Sequence, residues 1–393
     1  MPLHRSTSIA RRSVAGALVF IAALGASASA QLPTYRVDIL GPDLQGFGMN
    51  EHGDVTGRKL LAGSVGRAFV ASLDGDVALL PLPAPWQSSD GYAINDLGVV
   101  AGAVASGTIA SIGSHAAAWY PTPEGYEFVL LGALPGHDYS TATGVNNLGD
   151  IVGGSGGIGL GLYPSGVLFD PNGGPIELPG FGLVADVNNQ RIALRSNTLI
   201  DLDTMATTTI PLPPGNWQGV QTGDLNNNDG FCGYIAGFSG CSTFPIMHLP
   251  GAGWDFLGGC ATTTSAVSLN DQGDALTFVY NGGLGVVFID GGYTDIASLI
   301  DPSEGTWIIT GVSTINNARQ MLVGGKRFPD LVAQLIRLTP IVIGDLDGDG
   351  RVDGADLGLL LAAWGGADAN ADLDGSGAVD GGDLGVLLAA WTG

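Results

Sequence analysis

The 393-residue chain carries 37 acidic against 14 basic residues, a formal charge of −23, and 45% of its residues are hydrophobic. Acidity of this strength repels phosphate backbones and excludes a nucleic-acid-binding role. With only 13% charged residues beside that apolar content, the composition excludes a disordered chain and predicts a folded core.

At the N-terminus, Arg5, Arg11 and Arg12 flank or precede the apolar run "SVAGALVFIAALGA", and "SASA" supplies small residues before Gln31. This reads as a signal peptide over residues 1–30, cleaved after Ala30, with Sec export preferred to a twin-arginine route. The mature chain is then expected to be secreted or held at the cell surface. No later stretch is apolar enough to span a membrane.

From residue 35 to residue 338 the chain repeats itself. "GMNEHGDVTG" at Asn50 returns as "AINDLGVVAG" at Asn95, "GVNNLGDIVG" at Asn146 and "DVNNQRIAL" at Asn188. It continues as "DLNNNDGFCG" at Asn226, "SLNDQGDALT" at Asn270 and "TINNARQMLVGG" at Asn316. Successive asparagines are 45, 51, 42, 38, 44 and 46 residues apart. The residue before each Asn is apolar and ends a strand. Asn and Gly tolerate the positive φ that a tight hairpin turn demands, so each motif is read as a turn between antiparallel strands. Third runs ("RAFVAS", "HAAAWY", "GVLFD", "PIMHL", "GVVFID") and fourth runs ("VALLPLP", "FVLLGAL", "PIELPG", "DIASLI") complete the units. Four strands per unit and seven units predict an all-β, seven-bladed propeller. The last unit lacks its fourth strand, and "YRVDIL" (35–40) precedes the first turn, so that strand is expected to close the ring.

These motifs, strongest at "SHAAAW" (114–119) and the turns at Asn95 and Asn146, resemble the HAF repeats of bacterial extracellular proteins. The resemblance covers residues 35–338 and implies architecture rather than chemistry. Its fourth unit departs from the pattern, with Arg191 near the position of the turn glycine.

Beyond Pro340 the composition changes: ten acids lie in the last 49 residues beside one base, Arg351. "DLDGDGRVDGAD" (345–356) returns as "DLDGSGAVDGGD" (372–383). A twelve-residue calcium loop offers oxygens at positions 1, 3, 5, 7, 9 and 12, with Gly at 6. The first loop supplies Asp345, Asp347, Asp349, the Arg351 carbonyl, Asp353 and Asp356. The second supplies Asp372, Asp374, Ser376, the Ala378 carbonyl, Asp380 and Asp383, and Ser376 in place of an acid predicts the weaker of two Ca²⁺ sites. Each loop leads into a helix with an apolar stripe: Leu357, Leu360, Leu361 and Trp364, then Leu384, Leu387, Leu388 and Trp391. The duplicated unit resembles a type I dockerin over residues 344–393. That implies calcium binding and a cohesin-like partner or cell-surface component. The helix positions where dockerins present Ser/Thr and Lys/Arg pairs hold Gly, Leu and Ala here. The segment between the loops is also too short for a full middle helix.

Chemistry in the propeller is sparse. "GGSGG" (153–157) fits Gly-x-Ser-x-Gly but lacks a following helix, so a loop is expected rather than a nucleophile elbow. His52, His115, His137 and His248 share no metal-ligand spacing, and the five glutamates form no pair. Of Cys232, Cys241 and Cys260, strand turns near Gly237 and Gly251 would place Cys241 opposite both others, and a Cys241–Cys260 disulfide with one thiol left over is the expectation. Trp86, Trp217 and Trp307 each lie nine residues before a repeat Asn, which puts them on one propeller face as interblade wedges or as platforms for sugar rings. The expected domains are thus a signal peptide (1–30), a propeller (31–340) and a dockerin-like calcium module (341–393). The expected function is non-catalytic binding or surface assembly, of a polysaccharide among other ligands. The alternatives are a dockerin-bearing glycoside hydrolase, for which a convergent carboxylate pair in the channel is the mark, and a structural envelope protein.

Overall fold

The computed structural model describes residues 32–392 apart from 63–64, 74, 108–112, 158–160, 172, 238–242, 259–263, 280–283 and 348–350. Seven four-stranded antiparallel sheets form the blades of a propeller. Blades 1 to 6 comprise residues 44–79, 88–132, 139–181, 186–209, 217–256 and 264–295. In each, strand order in space follows order in sequence. Blade 7 comprises residues 307–340 with strand Tyr35–Gly41 added at its outer edge. That strand pairs with Ala333–Pro340, from Tyr35 opposite Pro340 to Gly41 opposite Leu335. The two ends of the propeller therefore lie in one sheet, as the incomplete last unit predicts.

Hydrophobic burial is distributed as layers between blades. Blades 1 and 2 bury Ala68, Val70, Val100, Val104 and Trp119 together. Blades 2 and 3 bury Ala101, Ala118, Ile151, Val167 and Phe169. Leu40 of the closing strand joins Val55, Phe69, Leu322 and Leu335 between blades 7 and 1. Within blade 2 the first and second strands approach closely beside the bulge at Tyr92, where a Cβ on Gly102 would fall 1.9 Å from the Asp90 carbonyl oxygen.

Two local expectations are corrected. "DIASLI" is not a strand beyond Asp295, whose side chain accepts the Ala297 N–H and starts a one-turn helix, α1 (Ile296–Leu299). "GGSGG" is not a loop but the buried end of the second strand of blade 3, Ile151–Gly157. Blade 4 is much reduced, with strands of two, four, four and three residues.

After Pro340 come helices α2 (Gly354–Ala362) and α3 (Gly381–Ala389), each begun by a capping box, Asp353 with Asp356 and Asp380 with Asp383. Val352, Leu360, Ala371, Val379 and Leu387 form their core. Only part of each predicted stripe enters it: Leu361, Trp364, Leu388 and Trp391 stay exposed. A helix of nine residues against one partner buries one side of the stripe, and the i+4 and i+7 positions fall outside the contact.

Candidate functional site: the central channel

Each repeat asparagine is buried, and none has positive φ; that conformation falls three residues on, at Gly53, Gly98, Gly149, Arg191, Asp229, Gly273 and Arg319. The expectation that Asn serves the turn through its backbone is corrected by its side chain. In the first six turns Oδ1 accepts the N–H groups two and four residues on, as His52 and Asp54 donate to Asn50. Nδ2 donates to the carbonyl of the next blade's asparagine: Asn50 to Asn95, and so on through Asn146, Asn188, Asn226, Asn270 and Asn316. Asn316 donates back to Asn50, closing seven bonds of 2.8–3.3 Å. Asn carries its acceptor and its donor on separate atoms of one short side chain, so Oδ1 can hold the turn while Nδ2 reaches the next blade, which suits Asn to this position in every unit.

A second ring runs beside it. The backbone N–H of the residue after each Asn donates to the side chain of its counterpart one blade on, through Glu51, Asp96, Asn147, Asn189, Asn227, Asp271 and Asn317, at 2.7–3.0 Å. Three carboxylates thus share the channel mouth with four amides. Burial, only partly offset by the Asn317 N–H, pushes the Glu51 pKa up to about 7, with Asp96 and Asp271 adding to the rise. A carboxyl raised in the fold contributes stability fully below its unfolded pKa and loses it as pH rises through about 7. Glu51→Gln, which keeps the acceptor for Asn317, should therefore melt above the parent at pH 8 and level with it at pH 4. Thermal melts across that range check this, and parallel curves would count against it.

The channel holds a cavity of about 240 Å³ lined by all seven inner strands. Six of these strands carry a bulge three residues before the Asn, at Phe47, Tyr92, Thr143, Gly223, Val267 and Ser313, which all line the channel. Two residues before their asparagines, Asp186 and Asp224 meet across blades 4 and 5. Desolvation, then the facing Asp224 carboxylate, raise the Asp186 carboxyl well above the usual carboxylate range. Asp186 Oδ2 also accepts the Leu225 N–H at 3.1 Å, and Asp224 Oδ2 accepts Leu269 N–H and Ser268 Oγ–H at 2.8 and 2.7 Å. Both carboxyls are tied into the interblade bonding. Sequence reasoning missed them, although their common phase, two before Asn, was the available signal.

The predicted site residues fall elsewhere. Trp86, Trp217 and Trp307 stand at the starts of inner strands, at the end away from the Asn turns. Trp307 is 5% exposed and donates to the Glu304 carbonyl, so it offers no face to a ligand. Trp86 and Trp217 are half-buried, the first against His115 and the second against Phe244 and Phe256. Trp307→Ala should cost about 3–5 kcal/mol of stability and Trp86→Ala clearly less, as urea unfolding would show; equal losses would overturn the distinction. Ser155 is buried, with Leu134 N–H donating to its hydroxyl and His137 Nδ1 3.0 Å away, and the next described element is a strand, Gly161–Asp170. His115 and His248 pack on aromatic rings, and burial lowers both pKa values. Cys232 is a free, buried thiol; Cys241 and Cys260 lie outside the described residues.

In the tail, carboxyl oxygens of Asp345, Asp347 and Asp356 lie within 4.8 Å of one another, as do those of Asp372, Asp374 and Asp383. These are loop positions 1, 3 and 12 in both repeats. Burial works against the Asp356 carboxylate, but the N–H groups of Asp353, Leu346 and Asp347 hold its pKa below the ordinary value. Asp353 and Asp380 are not in the clusters and serve as helix N-caps. Ser376 donates to the Ala378 carbonyl at 3.1 Å. Asp349 lies outside the described residues.

Sheet pairing and rings define a seven-bladed propeller with four-stranded blades. No family model matches the chain, and no curated protein matches it. Among solved structures it is similar to a streptogramin B lyase, at 12% identity and TM-score 0.45 over 78% of this chain and 98% of that one. It is also similar to virginiamycin B lyase from Staphylococcus aureus, at 15% identity and TM-score 0.44 over 78% and 100%. Trypanosoma rangeli sialidase gives 9% identity and TM-score 0.34 over 74% and 58%.

Proposed function

We propose that this is an exported binding or surface-assembly protein. The propeller serves as a recognition scaffold and the two-loop tail as a calcium-dependent attachment module for a cohesin-like or cell-surface partner. The observation that carries the reading is the convergence of the same three carboxyls, at positions 1, 3 and 12, in two loops of one spacing. Hard oxygen donors in this arrangement suit Ca²⁺, which would bind the loops and link each to its helix. Trp86 and Trp217, half-buried at one end of the propeller, are the candidate sugar platforms.

Calorimetry of the full chain should resolve two calcium sites, with Asp345→Ala removing the tighter one. Calcium at about a hundred times its dissociation constant should stabilise the tail by about 2.7 kcal/mol, read by hydrogen exchange at Val352 and Val379. Absence of heat together with unchanged exchange would sink the reading.

The hydrolase alternative finds its carboxylate pair in the channel but not its geometry. Glycosidase carboxyls stand free about 5 Å or more apart to admit a sugar or a water, whereas Asp186 and Asp224 are taken up by interblade hydrogen bonds from Leu225, Leu269 and Ser268. Non-catalytic recognition is therefore preferred.

A further inference from the structure

A cavity of about 460 Å³ adjoins the central channel at blades 4 and 5, sharing Ala185, Gly223 and Val267 with it. The reduction of blade 4 opens it: an inner strand of two residues stands beside one of nine, and Gln221 stays exposed. Its lining includes one cation, Arg195, and no carboxylate, in a chain with 37 acids.

Arg195 ends the second strand of blade 4 and is 9% exposed. Among the described residues its guanidinium donates one hydrogen bond, to the Pro179 carbonyl, and makes no ion pair. Burial lowers its pKa, and no carboxylate acts to restore it. Gly180, at φ 91°, makes room for the group, since a Cβ there would fall 2.1 Å from Nη2. Thr222, which also lines the cavity, has a buried Oγ1 without a partner among the described residues. The Tyr234 hydroxyl donates to Gln221 Oε1, which leaves the Gln221 amide N–H groups as further donors. A buried guanidinium without a counter-ion, an unsatisfied hydroxyl and an amide therefore line one space. Buried polar groups are costly unless paired, so the space is built for something that pairs them.

We propose that this cavity binds a carboxylate-bearing ligand of monosaccharide size, a uronic acid, with the carboxylate on Arg195 and Thr222. The volume is that of small-ligand pockets, and a guanidinium fork matches a carboxylate bidentately. Burial and the facing Asp224 raise the nearby Asp186 carboxyl well above the usual range, which lessens its opposition to an anion. The proposal rests on the reading of the propeller as a recognition scaffold and names its ligand class.

Titration calorimetry of the full chain with D-glucuronate, D-glucose and inorganic phosphate tests it. Glucuronate should bind one per chain, about tenfold or more tighter than glucose, and weaken with added salt. Arg195→Lys keeps the charge but loses the fork and should weaken glucuronate binding about tenfold, with glucose unaffected. Thr222→Val, remote from the Pro179 contact, should weaken it about fivefold and decides the matter if the arginine variant does not fold. Equal binding of glucose and glucuronate overturns this site while leaving the scaffold reading intact. Phosphate binding as tightly as glucuronate, or glucuronate affinity unchanged in a folded variant, also overturns it. A glycan array with no binder at all would instead remove the scaffold reading.

Discussion

Deleting residues 32–41 should abolish cooperative unfolding and drive the protein into aggregates. The strand Tyr35–Gly41 covers the outer edge of blade 7, and without it Ala333–Pro340 presents an unpaired apolar edge. The loss is also electrostatic. Arg337 is 2% exposed and pairs with Asp38 at 3.2 Å while donating to the carbonyls of Gly53 and Leu73 in blade 1. Removing one partner of a buried ion pair costs about 3–5 kcal/mol, before the lost packing of Leu40 is counted. Size-exclusion chromatography and urea unfolding of the truncated chain check this; a monomer melting like the parent would disprove closure by this strand.

Asn146→Ala should destabilise the ring more than any exposed substitution in the same turn. The Asn146 side chain accepts from Leu148 N–H and Asp150 N–H at 3.0 and 2.8 Å and donates to Asp150 Oδ2 and the Asn188 carbonyl at 2.8 and 2.9 Å. Alanine leaves the Leu148 and Asp150 N–H groups without an acceptor in a buried site, while Asp150 Oδ2 and the Asn188 carbonyl keep Arg191. At about 1–3 kcal/mol for each unsatisfied group, with some rescue by water, the loss should be about 3–5 kcal/mol. Leu148→Ala, two residues away and 62% exposed, should cost less than about 0.5 kcal/mol. Asn146→Asp keeps the acceptor but turns a donor into an anion facing the Asn188 carbonyl and Asp150, so its deficit should shrink below about pH 4. Chemical denaturation of the three variants separates these outcomes, and equal stability of Asn146→Ala and Leu148→Ala would remove the ring as a stabilising device.

Blade count, strand order and closure were legible because a phase marker recurs and a missing strand can be counted. The purpose of the marker was not. Read locally, Asn beside Gly signals a turn backbone. Its partners lie 38 to 51 residues away, and 266 for the last, and no local pattern shows them. The same limit hid Asp186 and Asp224, which are remote in sequence and meet only because adjacent blades stack. Arg195 was hidden for another reason: its cavity is made by the shortness of blade 4, an absence that carries no motif. The common offset of the three tryptophans was real as position but silent on depth, and Trp307 went to the core. In the tail, periodicity predicted which residues lie on one side of each helix, while the short contact decided how many of them are covered.

The asparagine ring also has a direction. Every blade donates a hydrogen bond to its successor and accepts one from its predecessor, so each junction is head to tail, like the contacts between identical subunits in a cyclic oligomer. Any run of consecutive blades therefore ends in one vacant carbonyl and one vacant amide, a plug and a socket of the same kind. Fragments cut in the connection between blades 4 and 5 would carry mutually complementary ends. Such a chain behaves as seven covalently tethered protomers, and the tether sets the number of members while the junction chemistry stays uniform.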